Sequence, residues 1–204
     1  MDISFLVRGL LIGFSVAAQV GPMCFLCIRR TLALGRTAGL VSGLGIATAD
    51  ALYASVGGFG LTLISAFLIT QTFWLRLIGG FFLVYLGFKT VGARPADSAA
   101  KGAGSSLFGF YVSTFLLTLT NPLTILSFAA ILAGLGLGGT NGNYSLAGLL
   151  IVGVFIGSSL WWLVLTTGIN LFRTRFTPAT LQWVNKVSGL IILSFGIYAL
   201  WWLL

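Results

Sequence analysis

The sequence has no histidine and only three acidic residues among 204. Zinc sites take their ligands from cysteine, histidine and carboxylate side chains, and the common hydrolytic triads use a histidine as their base. A glycine-rich phosphate loop of the GxxxxGK(S/T) form is also missing. These absences argue against a metal centre, a cofactor and enzymatic activity. They leave an ion gradient or the substrate's own gradient as the energy source for any work.

Charged residues of both signs are scarce. They make up 7% of the chain, against about 25% in an ordinary soluble domain. Water therefore cannot be the solvent for most of the surface, and a helix that crosses a bilayer needs about 20 apolar residues. Six apolar runs reach that length, at residues 3–28, 38–68, 72–91, 107–134, 145–170 and 180–203. The sequence thus predicts an all-α polytopic membrane protein with six transmembrane helices.

The first two runs each raise a question of detail. Arg8 interrupts the first run and Asp2 precedes it, whereas a signal peptide carries positive charge before its apolar core. A mature helix is therefore expected there. The second run is long for one span, so it must tilt, break near Gly57 and Gly58, or continue along the membrane interface through residues 57–72.

The net charge of +8 comes mainly from basic residues in short links between the apolar runs. Eight of the eleven basic residues lie in the links after the first, third and fifth runs: Arg29, Arg30, Arg36, Lys89, Arg94, Lys101, Arg173 and Arg175. Because basic loops stay on the cytoplasmic side, both termini are expected outside. The charge therefore orients the chain in a bacterial inner membrane and does not indicate a nucleic acid partner.

A polar link divides the chain into two similar halves. Residues 92–106 are rich in glycine and serine, as is typical of a flexible cytoplasmic link, and they separate residues 1–91 from 107–204. Paired residues recur in the two halves: Gly21-Pro22 with Asn121-Pro122, and Trp74, Gly80 and Gly87 with Trp183, Gly189 and Gly196. Since each half has three helices, this predicts a 3+3 inverted repeat with a substrate site near the midplane. The alternative is coincidence in a sequence of such biased composition.

Asp50 is the only acidic residue within an apolar run. A carboxylate at membrane depth costs at least about 2.5–3.5 kcal/mol on insertion scales, so it should face the bundle interior. At 3.6 residues per turn, Gly39, Gly43 and Asp50 share one face, and glycines so spaced let another backbone approach. Asp50 is therefore expected to titrate a proton or hold a substrate ammonium. The structural alternative is an ion pair with Arg8 or Arg76.

The matched prolines mark a second candidate feature. Proline inside a helix removes a backbone donor and displaces the axis, and the carbonyls freed at Ala18 and Thr118 must be satisfied or line a watery cavity. Pro22 and Pro122 therefore predict a site and a hinge, although prolines also kink helices that bind nothing. Polar residues continue this pathway along the first and fourth helices: Ser4, Arg8, Ser15, Gln19, Thr114, Thr118 and Asn121. The same side chains could equally cross-link helices.

Cys24 and Cys27 form a C-x-x-C, the spacing of soluble redox proteins. Here the pair follows Pro22 in an apolar run, and the corresponding residues of the fourth run are Thr124 and Ser127. Small side chains are therefore the simpler explanation. A transmembrane thiol-disulfide carrier remains as an alternative.

Several motifs together resemble the LysE-type (LysE/RhtB) amino-acid exporter family. They are Gly21-Pro22, Gly35-Arg36, Gly39, Gly45, Ala49-Asp50 and Asn121-Pro122. Two positions depart from the family pattern: Ala49 replaces a glycine, and Leu123 stands where many members have lysine. The resemblance covers nearly the whole chain. It implies that the protein exports amino acids such as lysine, threonine, homoserine or cysteine, that the proton motive force drives this export, and that the protein is an oligomer.

The residues and the resemblance together favour a secondary transporter that exports amino acids or their derivatives across a bacterial inner membrane, as a proton antiporter. The expected partners are an amino acid, protons and the lipid bilayer. The expected pathway residues are Gln19, Gly21, Pro22, Asp50, Thr118, Asn121 and Pro122, with Gly39 and Gly43 for helix packing. A passive channel or a structural assembly factor is the other alternative.

Overall fold

A computed structural model describes residues 3–59, 72–92, 106–121, 124–125, 127–128, 131, 143–172 and 177–201. Within these ranges the regular structure is entirely helical, which confirms the all-α class. Seven helices follow in chain order: α1 (Ile3–Ala17), α2 (Pro22–Leu34), α3 (Arg36–Gly58), α4 (Thr72–Val91), α5 (Leu107–Leu119), α6 (Tyr144–Phe172) and α7 (Pro178–Trp201). The predicted polar link lies outside the described residues except for its two ends.

Three helices are long and apolar enough to cross a bilayer: α3, α6 and the segment Ala179–Trp201 of α7. The pair α1 and α2 would add a fourth span if it crosses as one bent unit. Two further apolar helices, Leu77–Val91 and Leu107–Leu119, are shorter. The chain is therefore a multi-pass membrane protein with three to four candidate spans in its described part, and the predicted count of six is not reached there.

The sequence predicted a hinge at Pro22 within the first apolar run, and the structure has two separate helices there. α1 ends at Ala17, α2 begins at Pro22, and the two axes are bent by 78°. Gly21 is extended, with φ −151° and ψ −176°, and Pro22 occupies the first turn of α2. Proline suits that position because the first N–H groups of a helix have no intrahelical acceptor. Pro22 therefore starts a helix instead of kinking one from inside.

The second run ends as a helix at Gly58. The backbone N–H of Phe59 donates to the carbonyl of Ser55 and closes the last turn. This end agrees with the predicted break near Gly57 and Gly58. Residues 60–71, whose path the sequence left open, lie outside the described residues.

Glycines bring α1 and α6 into backbone contact. A β-carbon on Gly9 would lie 3.1 Å from Cα of Gly153, and one on Gly157 would lie 2.9 Å from the backbone nitrogen of Phe14. Contacts advance along both helices in the same direction, so α1 and α6 are parallel. Close approach through small residues is the usual basis of helix association in membranes, where burial of apolar surface gives no driving force.

A second glycine contact joins α4 and α7, which are antiparallel. A β-carbon on Gly80 would lie 3.3 Å from the carbonyl oxygen of Gly196, and one on Gly189 would lie 3.0 Å from that of Gly87. These four glycines are the pairs that the sequence aligns between the halves. Exchanging the two helices reproduces the contact, so it has local two-fold symmetry.

α2 lies between two groups of helices. On one side α3 packs against α5 and α6, and α6 packs against α1. On the other side α4 and α7 pack against each other, and α7 supplies most of their contact with α2. We call these groups the four-helix unit (α1, α3, α5 and α6) and the α4–α7 pair.

Candidate functional site

Asp50 lies in the second half of α3 with 1% of its surface exposed. The Oγ of Ser158, on α6, donates a hydrogen bond of 2.7 Å to its Oδ2. The side chain therefore points at a neighbouring helix, as the glycine spacing of α3 predicted. The buried carboxylate is held at the contact between two helices that each could span a membrane.

The glycines of α3 set this contact. Gly39 lies against Thr31 and against Thr166 of α6, whose Cγ2 a β-carbon would approach to 3.0 Å. Gly43 lies directly against the side chain of Trp162 on α6. A larger residue at either position would push α6 away from α3. The same spacing that places glycine on this face therefore brings Ser158 within hydrogen-bond reach of Asp50.

The structural alternative for Asp50, an ion pair, finds little support in the described part of the chain. There, Ser158 is the only side chain that hydrogen-bonds the carboxylate, and Arg8 is exposed on α1. The Arg76 side chain lies outside the described residues. A buried charge is costly unless it is paired and hydrogen-bonded, so Asp50 is suited to holding a proton or meeting a cation from elsewhere.

Two indole N–H groups lie beside this contact with their hydrogen-bond capacity unused. Nε1 of Trp161 and Nε1 of Trp162 are buried and have no acceptor within the described ranges, and the same is true of the Ser159 hydroxyl. Trp162 follows Ser158 by one helical turn and is 1% exposed. Buried polar groups are normally hydrogen-bonded, so α6 carries spare donors within about one turn of Ser158. The sequence pattern gave no indication of these donors.

The two predicted proline sites differ in what the structure describes. Gly21 and Pro22 are both buried at the break between α1 and α2. α5 ends at Leu119, Asn121 is buried, and its Nδ2 donates to Thr124 Oγ1 at 3.0 Å. Pro122 lies outside the described residues.

Polar contacts connect both sites with the rest of the bundle. Ser127 Oγ donates to Gln19 Oε1 at 3.0 Å, which links the segment between α1 and α2 to a residue beyond the end of α5. Tyr53, one turn after Asp50, donates from its hydroxyl to the Leu119 carbonyl at 2.7 Å. The end of α5 is thereby attached to the turn of α3 that carries Asp50.

The predicted polar faces of the first and fourth helices have different environments. Thr114 and Thr118 are fully buried, and Thr114 Oγ1 donates to the Ser42 carbonyl of α3 at 2.7 Å. Arg8, Ser15 and Gln19 are exposed instead. Thr114 therefore cross-links α5 to α3, as the alternative for α5 expected, whereas Thr118 Oγ1 donates to the Thr114 carbonyl of its own helix.

The cysteines lie on α2, and both are free thiols. Cys24 is partly buried, whereas Cys27 is fully buried in an apolar cluster with Leu26, Ile46 and Trp162. A thiol that exchanges disulfides has to be reached by its partner. The surroundings of Cys27 therefore favour the simpler explanation, a small side chain in a packed core.

Two adjacent arginines of α2 are functional candidates that the sequence pattern did not indicate. In the sequence, Arg29 and Arg30 predicted only the orientation of the chain in the membrane. In the structure both are partly buried and hydrogen-bond to neutral groups on other helices. The signal was present in the sequence, because eleven basic residues face only three acidic ones.

Comparisons with known proteins agree along almost the whole chain. The model of a family described as LysE type translocator matches residues 14–201. The "Putative amino acid efflux protein YcgF" of Bacillus subtilis (strain 168) is 31% identical over 193 residues, which cover 93% of this chain and 91% of that protein. The "Uncharacterized membrane protein YahN" of Escherichia coli (strain K12) is 28% identical, with 88% and 80% covered. No solved structure matches.

Proposed function

Because the chain belongs to the LysE type translocator family, we propose that it is a secondary transporter that exports amino acids or their derivatives from the cytoplasm. The name of the Bacillus subtilis relative supports both the class of cargo and the direction of transport. The lack of a phosphate-binding loop in the sequence supports a gradient as the source of energy.

The observation that carries this proposal is the buried carboxylate of Asp50 at the contact between α3 and α6. Ionisable residues inside membrane proteins mark substrate paths and proton relays. One site that accepts either a proton or a substrate ammonium would couple the two in opposite directions. Asp50 is therefore assigned to proton antiport, with Ser158 orienting its carboxylate.

The proposed architecture is a 3+3 inverted repeat of six spans. The two-fold contact between α4 and α7 supports it, because Gly80 meets Gly196, the sequence match of Gly87, and Gly87 meets Gly189, the sequence match of Gly80. The fourth span would consist of α5 and the helical residues that follow Asn121, with a break at the same place as the break before Pro22. In such transporters, discontinuous helices surround the substrate site near the midplane.

The proposed location is a bacterial inner membrane with both termini outside. The basic residues in the second half of α2, at the end of α4 and at the start of α3 support this orientation, since basic segments remain cytoplasmic. The aromatic and aliphatic side chains exposed along α4 suit a lipid environment or a second subunit. We also propose that the protein is an oligomer, as the family resemblance implies.

The transport cycle follows from these assignments. An amino acid enters from the cytoplasm and reaches the interior while Asp50 is ionised. The α4–α7 pair then moves against the four-helix unit, and the substrate leaves outside. A proton that binds Asp50 from outside returns the carrier.

Accumulation against a gradient tests the function. Inside-out membrane vesicles that contain the protein are given a lumen more acidic than the medium, together with each of the common amino acids in labelled form. The proposal predicts that at least one accumulates above its external concentration and that a protonophore abolishes the accumulation. Uptake that only equilibrates would identify the passive channel, and no uptake of any amino acid would contradict the proposal.

A further inference from the structure

The two consecutive arginines of α2 are bonded to different groups of helices. Arg30 donates from Nη1 to Ser42 Oγ at 2.8 Å, and from Nη2 to Ser113 Oγ at 2.8 Å. Its Nη1 also donates to the Phe110 carbonyl at 3.0 Å, and the guanidinium lies over the Phe110 ring, 4.9 Å from its centre. Arg30 therefore fixes α2 to α3 and α5 in the four-helix unit.

Arg29 bonds to the other side, and less completely. Its Nε donates to Asn185 Oδ1 of α7 and its Nη1 to Thr90 Oγ1 of α4, both at 3.2 Å. A guanidinium has five N–H donors in one plane. Nη2, with two of these donors, has no acceptor within the ranges that the structure describes. Arg29 thus keeps an open edge of its planar fork.

The charge of Arg29 has no carboxylate partner among the described residues. The chain holds three acidic residues: Asp50, which accepts from Ser158, and Asp2 and Asp97, which lie outside the described ranges. The partners that Arg29 does have, Thr90 and Asn185, are neutral and almost fully buried. A partly buried guanidinium gains most from a carboxylate, with which it forms two parallel charge-assisted hydrogen bonds. Among the described residues no anion meets this guanidinium, and the carboxylate of a bound molecule could form these two bonds with it.

The position of Arg29 fits a substrate that enters from the cytoplasm. Arg29 lies where α2 meets the α4–α7 pair, next to the end of α4 and the first half of α7. These are the helix ends that the basic residues assign to the cytoplasm. The two hydrogen bonds of Arg29 are also polar ties between α2 and that pair. A ligand that competes for Arg29 would loosen the ties on the side from which it binds.

This position is separate from Asp50. Arg30, the neighbour of Arg29, bonds to Ser42, and Ser42 precedes Asp50 on α3 by eight residues, or about 12 Å at 1.5 Å per residue. The ammonium and the carboxylate of an α-amino acid are attached to the same carbon, so the α-ammonium of a molecule whose carboxylate is held at this level does not reach Asp50. A carboxylate held by Arg29 would therefore be bound before the substrate reaches Asp50.

We infer that Arg29 binds the α-carboxylate of the exported amino acid at a cytoplasmic loading site, which Thr90 and Asn185 line, while Arg30 positions α2 for it. The inference rests on the proposed function for the identity of the carboxylate. It assigns the carboxylate to the loading step and leaves Asp50 for the later, proton-linked step. Every amino acid with a free α-carboxyl group is then a candidate at this site, and the side chain is recognised elsewhere.

Binding to the purified full-length protein in detergent tests this site without transport. The melting temperature is titrated with each of the twenty common amino acids and with the corresponding α-amides, which keep the ammonium and the side chain but lose the carboxylate. We expect at least one amino acid to raise the melting temperature and its amide to have no effect. Arg29→Gln should raise the concentration needed about tenfold or more, since hydrogen bonds to charged groups contribute about 1.5–3 kcal/mol.

Two further variants separate binding from folding. Arg36→Gln removes the same charge from an exposed residue at the start of α3 on the same side of the protein, and it should leave the titration unchanged. Arg29→Lys keeps the charge but loses the planar fork, so it should fold like the parent and still bind more weakly. An Arg29→Lys or Arg29→Gln protein that binds as well as the parent would overturn the inference.

Other outcomes are equally decisive. Stabilisation by amide and acid alike, or by none of the twenty amino acids, would overturn the carboxylate site. Stabilisation by phosphatidylglycerol alone, lost in Arg29→Gln, would overturn it too and assign Arg29 to a lipid head group. If vesicles accumulate no amino acid while carboxylate-dependent binding persists, the proposed export function is contradicted and the carboxylate site is supported. If accumulation occurs and amides compete as well as acids, the carboxylate site is contradicted and the export function is supported.

Discussion

The hydroxyl of Ser158 on α6 donates a 2.7 Å hydrogen bond to the carboxylate of Asp50 on α3, and both side chains are buried. Glycines on the same face of α3 allow the close approach that makes this bond. The pair joins two helices of the four-helix unit at the residue that we assign to proton coupling. Its surroundings give specific expectations.

Ser158 and Ser159 are neighbours with opposite expectations. Ser158→Ala removes the hydroxyl that bonds Asp50, so gradient-driven accumulation should fall, because the carboxylate loses the group that orients it. Ser159 Oγ is buried without a partner in the described part of the chain, so Ser159→Ala removes an unsatisfied group and should be neutral or stabilising. Transport rates and melting temperatures of the two variants check this. Equal losses of transport would contradict the role of Ser158.

Gly157 and Gly168 of α6 offer a matched test of helix packing. A β-carbon on Gly157 would collide with the backbone of Leu10, whereas one on Gly168 would meet nothing within 4 Å. Gly157→Ala should lower the free energy of unfolding by about 1–3 kcal/mol through overpacking. Gly168→Ala should change it by less than about 0.5 kcal/mol, or stabilise the protein. Detergent melting curves measure both, and similar curves would mean that α1 and α6 are not packed through these glycines.

Tyr53 connects the Asp50 turn of α3 to the end of α5. The last carbonyls of a helix have no intrahelical donor, and the Tyr53 hydroxyl supplies one to Leu119. Tyr53→Phe should cost about 1 kcal/mol of stability and slow transport, because the end of α5 borders the proposed second break. Tyr111→Phe removes a hydroxyl contact to Thr48 between the same two helices. It should cost similar stability with transport preserved, and the reverse pattern would contradict our assignment.

The cysteines should be dispensable for export. Cys24→Ser changes a partly buried residue, and Cys27→Ala avoids placing a hydroxyl in the apolar cluster. Vesicles with the double variant should accumulate amino acid at a rate within about twofold of the parent, as expected of substitutions that disturb packing only slightly. Loss of activity in a folded double variant, together with thiol-dependent activity in the parent, would favour the thiol-disulfide carrier.

Local chemistry predicted part of the fold well. Asp50 is the only acidic residue of the apolar runs, and its burial cost alone requires an interior position, which the structure gives it. The glycines before it on α3 were enough to predict the face that meets another helix. Helical spacing is a short-range property, so the residues themselves contain it.

Other features depended on which helices meet, and the sequence could not supply that. Pro22 starts a helix because residues 18–21 do not continue α1. α1 itself packs in parallel with α6. The exposure of Ser15 and Gln19 follows from the same packing. The sequence indicated only an orienting role for Arg29 and Arg30, because their partners Asn185 and Ser113 lie far from them along the chain.

The central claim is that Asp50 couples export to protons. The most direct measurement compares accumulation in inside-out vesicles for the parent, Asp50→Asn and Asp97→Asn, with the same imposed pH gradient and equal amounts of inserted protein. Asp97→Asn removes a carboxylate from the polar link and is the matched control. We predict that Asp50→Asn abolishes gradient-driven accumulation and that Asp97→Asn retains it. Accumulation by Asp50→Asn at the parent's rate would contradict the account.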